Sequence, residues 1–404
     1  MNLRRVASRD IRIADFRQRL ITLILGVFFA SMGGVILASA ETKLSELPGL
    51  LLLLPGAIAL RGNIFGSMGS RLGTAAHTGT FVVSRRIDSV LAQNLLAAAS
   101  LSLLSSVFLA MMAKGTALVF GLSPSMGLED FIVISVLGGM LSSAFLSVIT
   151  ILLAAGSVRY EWDLDNVVAP LVTTMGDLLT VPSLILAATL ANTSGLTNTL
   201  AVLILSISLI FLLFSIRSTH DRFRQIFRQS IPVLGLAIFL DLVAGFVIEQ
   251  RLEDLLKAKA VLVFLPAFLG VAGAFGGILS SRLSTQFHLG LDNASPLPSK
   301  SSLRGVIDLT IIAVPVFVFS GVVAHLASEL TGQSTPGILD LILLSAIAGT
   351  IVTVFVAMVS YFTTMGAFRF GLDPDTYGIP LVTSSLDLVG IFTIILAMTL
   401  VGLA

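Results

Sequence analysis

The chain has 404 residues, of which 55% are apolar and only 12% charged, with a mean hydropathy of +1.01. Soluble domains carry about 25% charged residues, so this composition excludes one and points to a polytopic membrane protein. The net charge of +1 gives no reason to expect a nucleic-acid partner, and the absence of cysteine excludes thiol catalysis, disulfides and Cys-ligated zinc. His77, His220, His288 and His325 are scattered without metal-site spacing.

Residues 1–18 form a basic segment with Arg4, Arg5, Arg9, Arg12 and Arg17, followed by an apolar run to Ala40. At about 20 residues that run is too long for a signal-peptide core and right for a bilayer span. Further apolar segments fall at 47–71, 90–113, 130–155, 166–192, 199–216, 231–249, 260–282, 305–328, 337–362 and 377–402, which gives 11 spans. With the N-terminus inside, 18 of the 24 Lys and Arg lie in cytoplasmic segments, five lie outside and Arg61 lies within a span. The bias predicts a cytoplasmic N-terminus and an external C-terminus in a multi-pass protein, here assigned to the plasma membrane.

The chain repeats itself. Asp163, Asp165, Pro170, Leu171, Val172, Thr173 and Asp177 return 210 residues later as Asp373, Asp375, Pro380, Leu381, Val382, Thr383 and Asp387. The stretch from Pro55 to Gly79 aligns without gaps on that from Pro266 to Gly290, pairing Arg71 with Arg282 and His77 with His288. Asp88 has its counterpart in Asp308, and Asp130, Ser135 and Gly139 match Asp340, Ser345 and Gly349. The expected organisation is therefore all-α, with five-helix units at 19–195 and 221–404 joined by a linking helix at 196–220. Five spans would invert a directly fused second unit, and the unpaired sixth span returns the chain to its starting side. The two units should lie parallel about a pseudo-twofold axis along the membrane normal.

An acid inside an apolar span is costly and by default marks a functional pathway, so the duplicated Asp177 and Asp387 are the principal site candidates. If each fifth helix starts at its Asp-x-Asp pair, these acids lie roughly 20 Å further along, near mid-membrane. Thr173 and Thr383 stand four residues earlier on the same helical face, while Pro170 and Pro380 are expected to weaken the backbone ladder. Asp163, Asp165, Asp373 and Asp375 read either as helix N-caps or as a cation-collecting mouth. Gly62 and Gly66, repeated as Gly273 and Gly277, either let helices approach closely or let the helix break and expose carbonyls. The basic residues Arg71, Arg282, His77 and His288 read as interfacial anchors. Arg61 either neutralises a buried acid or snorkels to the surface. Asp241, an acid in the seventh apolar segment, has Ala30 at the matching position and reads either as a coupling-ion carrier or as the partner of Arg61.

The run Leu60, Arg61, Gly62, Asn63, the run Ser70, Arg71, Leu72, Thr74, Gly79 and the Asp, Pro, Thr, Asp pattern of the fifth helix resemble the solute carrier 41 family and its bacterial relatives, the MgtE magnesium channels. The resemblance covers both units. It implies magnesium transport, with a pore lined by second and fifth helices, pore aspartates at Asp177 and Asp387, and a single-chain pseudodimer that requires no further oligomer. Nothing here resembles the cytoplasmic magnesium-sensing domains of the bacterial channels, so gating by them is not carried over. Asn63 is matched by Ala274, so the pathway should be asymmetric at that level.

Magnesium takes one or two carboxylates and keeps most of its ligands as water, which suits one aspartate from each unit with Thr173, Thr383 and Asn63 able to bond the bound waters. Manganese, cobalt and zinc also tolerate carboxylate and water ligands. The divalent ion is the cargo and no cofactor is expected. An intramembrane two-metal lipid enzyme would cluster its acids within one unit, which this spacing does not do. A noncatalytic membrane scaffold is the remaining alternative.

Overall fold

The computed structural model describes residues 3–77, 86, 88–122, 124–160, 168–191, 196–288, 290–372 and 377–403, with the side chains of 3–16, 19, 74, 76, 77, 158, 169, 170, 300, 301 and 309 outside the description. Within these bounds the first half of the chain forms α1 (Leu3–Ser39), α2 (Glu41–Glu46), α3 (Leu50–His77), α4 (Val90–Val119), α5 (Leu128–Tyr160) and α6 (Ala169–Ala191). Then come α7 (Leu196–Arg217), α8 (Asp221–Gln250), α9 (Leu252–Lys257), α10 (Lys259–His288), α11 (Lys300–Leu330), α12 (Ile338–Arg369) and α13 (Ile379–Val401). Eleven of these helices are long and apolar enough to cross a membrane, as expected from the sequence, and α2 and α9 are six-residue connectors.

Local chemistry sets the ends of these helices. The Ser89 hydroxyl accepts the Ala92 amide at 3.1 Å and opens α4, while Ser299 accepts the Ser302 amide at 3.2 Å and opens α11. Gly121 and Gly332 close α4 and α11 with φ of +69° and +70°. There the amide of the following residue folds back to Ala117 O and Ser328 O respectively, a left-handed cap that favours glycine.

In a bilayer the association of helices depends on close packing more than on hydrophobic burial, because lipid tails are themselves apolar. The first long helix of each half crosses to the other half. Helix α1 packs on α10 and α6, and α8 packs on α3, α4 and α13. Each crossing is set by a glycine: a Cβ on Gly34 of α1 would collide with the Val263 backbone of α10, and one on Gly245 of α8 with the Leu52 backbone of α3. The two glycines are 211 residues apart, and so are the two residues they meet.

Helices α3 and α10 are the most enclosed, with 83% and 94% of their apolar windows buried, against 22% for α7. Helix α7 therefore lies at the periphery, against α4 and α5. Outside α3 and α10 stand α4, α5, α11 and α12, and between them come α6 and α13. Helix α6 packs on α3 and reaches α10, while α13 packs on α10 and reaches α3.

Of the two readings of the paired glycines, close approach is the one that holds at Gly62. Both α3 and α10 run unbroken through Gly62, Gly66, Gly273 and Gly277, so these glycines do not open the backbone. Gly62 instead admits a neighbour, since a Cβ there would lie 3.0 Å from Thr173 Cγ2. Among the described residues the fifth helices run from Ala169 and Ile379, with Pro380 in the first turn, where a missing amide costs nothing; the Asp-x-Asp pairs lie outside the description. Asp177 and Asp387 are each eight residues, about 12 Å, beyond Ala169 and Ile379.

Candidate functional site

The sequence places a carboxylate on the same face of α6 and of α13, and the packing turns both faces inward. Asp177, Thr173, Gly62 and Asn63 from the first half line a narrow cleft with about 40 Å³ of room for water. Asp387, Thr383, Gly270 and Gly273 from the second half line the same cleft. The prolines Pro55 and Pro266, which occupy matching positions in α3 and α10, complete its walls. Five of the expected site residues, Asp177, Asp387, Thr173, Thr383 and Asn63, are thus brought together. The other four, Asp163, Asp165, Asp373 and Asp375, lie outside the described residues.

The two acids differ in surroundings. Asp177 is buried, and its Oδ2 has no hydrogen-bond partner among the described residues; Asp387 is half-buried. Both line the same cleft. A Cβ added to Gly270 of α10 would lie 2.5 Å from Asp177 Oδ2, so this carboxylate reaches over the seam between α6 and α10 and rests on a glycine. On the other seam Thr383 Oγ1 donates to Asn63 Oδ1 at 2.9 Å, joining α13 to α3, and the Asn63 amide nitrogen has no partner among the described residues. Ala274 stands where a second asparagine would make the matching bond to Thr173.

A third acid stands behind this cleft. Asp241 of α8 is fully buried, accepts the Ser384 hydroxyl of α13 at 3.1 Å through Oδ2, and leaves Oδ1 without a partner among the described residues. Ser384 is three residues before Asp387, one turn away on α13, and the charges of Asp241 and Asp387 interact.

Arg61 meets neither expectation made for it. It is fully buried, so it does not snorkel, and no carboxylate among the described residues acts on it. Its guanidinium bonds instead to Ser106 Oγ at 2.6 Å, Ala57 O at 3.3 Å and Gly139 O at 3.4 Å, pointing away from the cleft into the packing of α3 with α4 and α5. Gly139 must lack a side chain to admit it. The Arg61–Asp241 pairing therefore does not form. Of the residues read as anchors, Arg71 Nε bonds Asn94 Oδ1 at 2.8 Å, and His288 stands edge-on to Phe368 at a centroid distance of 5.0 Å. The side chain of His77 is not described.

Gly270 and Ser384 were missed as site residues, although each carried a sequence signal. Gly270 breaks the aligned block by facing Ala59, and Ser384 faces Thr174 within the duplicated fifth-helix run. Neither difference gains meaning until the crossing of α8 and the seam between α6 and α10 are known.

Chemically the cleft offers two carboxylates, two hydroxyls and an amide around open space, without a set of three or more His, Asp or Glu side chains close enough to enclose a metal ion among the described residues. Such a donor set suits an ion that keeps much of its water.

A family model described as MgtE, divalent cation transporter, matches residues 54–187 and again residues 265–397. Solute carrier family 41 member 3 of Mus musculus is 24% identical over 84% of this chain and 73% of its own length. Solute carrier family 41 member 2 of Xenopus laevis is 23% identical over 95% of this chain and 71% of its own, and the Homo sapiens member 2 is 22% identical over 92% and 68%. No solved structure matches the chain.

Proposed function

Because this chain belongs to the MgtE family of divalent cation transporters, we propose that it moves Mg²⁺ along the cleft between two homologous five-helix units, with Asp177 and Asp387 as the carboxylates that draw the ion in. The observation that carries this reading is that the acid duplicated in the fifth helices lines the same cleft from both halves. Two charges offset the ion's loss of outer hydration, while Thr173, Thr383 and Asn63 take hydrogen bonds with its remaining water. The double match of the family model and the paired glycine crossings at Gly34 and Gly245 support two units, 19–195 and 221–404, in one chain joined by the span at 196–220. The charge bias supports a cytoplasmic N-terminus and an external C-terminus in the plasma membrane. Relatives named as solute carriers support transport and leave the lipid-enzyme reading without a footing.

Flux into liposomes tests the proposal. Asp177→Asn and Asp387→Asn each cut Mg²⁺ flux roughly tenfold or more with expression intact, because each charge offsets part of the ion's lost hydration. Flux near wild type in the double Asn variant would remove both acids from the pathway.

A coupled exchanger is the alternative, and Asp241 is the observation that favours it. A symmetric passive pathway does not need a third acid on one side, and this one bonds Ser384, one turn from Asp387, and has an oxygen without a partner among the described residues. Under exchange, Mg²⁺ efflux from proteoliposomes depends on a counter-gradient of Na⁺ or H⁺ and Asp241→Asn abolishes that dependence. Flux that follows membrane potential alone makes the protein a channel.

A further inference from the structure

The two halves of the cleft differ at one position where a single methyl group decides what an acid does. Pro55 aligns on Pro266, so Ala59 of α3 aligns on Gly270 of α10, and both line the cleft. Asp177 Oδ2 sits where a side chain on Gly270 would begin, at 2.5 Å from that ideal Cβ. The next nearest atoms, Asp177 Cγ at 3.7 Å and Ala30 Cβ at 4.0 Å, are at ordinary contact distance. Nothing else in the packing therefore requires a glycine here, and its φ is not in the left-handed region. The vacancy is filled by one carboxylate oxygen that has no hydrogen-bond partner among the described residues.

From this geometry we infer that Gly270 is a positioning residue for the divalent cation: it lets the Asp177 carboxylate cross the seam between the two halves and hold one oxygen, without a hydrogen-bond partner, against the cleft wall, ready for the ion or its water. The inference deepens the proposed role of Asp177 and rests on it. A methyl at 270 pushes the carboxylate back toward its own helix, leaving Asp387 to meet the ion with less help. The alternative is that Gly270 serves only the packing of α6 against α10. Under that alternative the damage from a methyl is independent of what residue 177 carries. The difference between Asp and Asn at 177 separates the two, because Asn preserves shape and removes the second anionic oxygen.

The experiment is a double-mutant cycle on the full-length protein in detergent, read by the Mg²⁺ concentration that half-saturates thermal stabilisation, with Mg²⁺ alone as the probe. The expected result is that Gly270→Ala leaves the melting temperature without Mg²⁺ within a degree or two, since only a flexible side-chain tip has to move. It raises the half-saturating Mg²⁺ concentration roughly fivefold or more, about as much as Asp177→Asn, and the combined variant is no worse than Asp177→Asn alone. In liposomes Gly270→Ala raises KM for flux more than it lowers the maximal rate. Multiplying effects in the combined variant would overturn the inference, as would unchanged Mg²⁺ affinity in Gly270→Ala. If Asp177→Asn itself leaves Mg²⁺ affinity untouched, it is the proposed role of Asp177 that fails, a result distinct from the other two.

Discussion

Thr383 of α13 and Asn63 of α3 are joined by a 2.9 Å hydrogen bond across one seam of the cleft, and the other seam has Ala274 in place of the asparagine. Thr383 also faces the Pro380 carbonyl at 3.0 Å, so its hydroxyl has a second acceptor if Asn63 is removed. Asn63 has no such reserve, because Thr383 is the one donor to its Oδ1 among the described residues. Thr383→Val should therefore destabilise more than Asn63→Ala, about 1–3 kcal/mol against about 0.5–1 kcal/mol. Thermal unfolding in detergent measures both, and equal or reversed costs would mean that the bond does not hold the seam.

Asp241→Asn should leave the protein at least as stable as wild type. The substitution keeps the shape and the Ser384 contact, and it removes a fully buried charge with one unpartnered oxygen. Because Arg61 bonds to Ser106 and not to Asp241, Arg61→Gln should cost the same with or without Asp241→Asn, within about 0.5 kcal/mol. Rescue of one by the other in melting experiments would restore the ion pair that the structure lacks.

Gly139→Ala sets a methyl against the Arg61 guanidinium in a fully buried site. A loss of upward of about 2 kcal/mol is expected, since neither α4 nor α5 has room to yield. Arg61→Ala in the same chain should recover part of it, as judged by expression and melting temperature. No recovery would show that Gly139 is needed for the helix backbone itself.

Gly34→Ala and Gly245→Ala should fail alike. In each, the new Cβ meets main-chain atoms of the opposite half, which cannot rotate away, and overpacking of this kind costs about 1–3 kcal/mol. Size-exclusion profiles of the two variants report this, and one monodisperse with the other aggregated would break the equivalence of the crossings.

Single cysteines at Ser194 and Ser218, introduced into a chain with no native cysteine, should label from opposite sides of intact cells, since α7 lies between them. Labelling from one side would leave 196–217 outside the membrane and turn the second unit over.

Composition and hydropathy made the helices legible, because an apolar run of spanning length has little choice of conformation in lipid. Duplication made Asp177, Asp387 and both threonines legible as a group. Depth was less so, because it was counted from Asp163 and Asp373, which lie outside the described residues. What a single sequence hides is which face of one helix meets which face of another. Arg61 and Asp241 are both uncopied and opposite in sign, yet they leave α3 and α8 toward different neighbours, and no spacing rule distinguishes that from a pair. The exchange of α1 and α8 between halves was hidden for the same reason, although the glycines that permit it stand 211 residues apart in plain view.

Helix α7, the least enclosed of the spans, contributes little to the walls of the cleft. Its effect is on what substitutions can do. Were the halves separate and identical chains, any change would strike both walls at once, and a third acid, a buried arginine or a missing methyl would arrive in duplicate. Joined through α7, each half is free to vary alone. Asn63 can bond across one seam while Ala274 brings no polar side chain to the other, and Gly270 can receive an acid where Ala59 keeps its methyl.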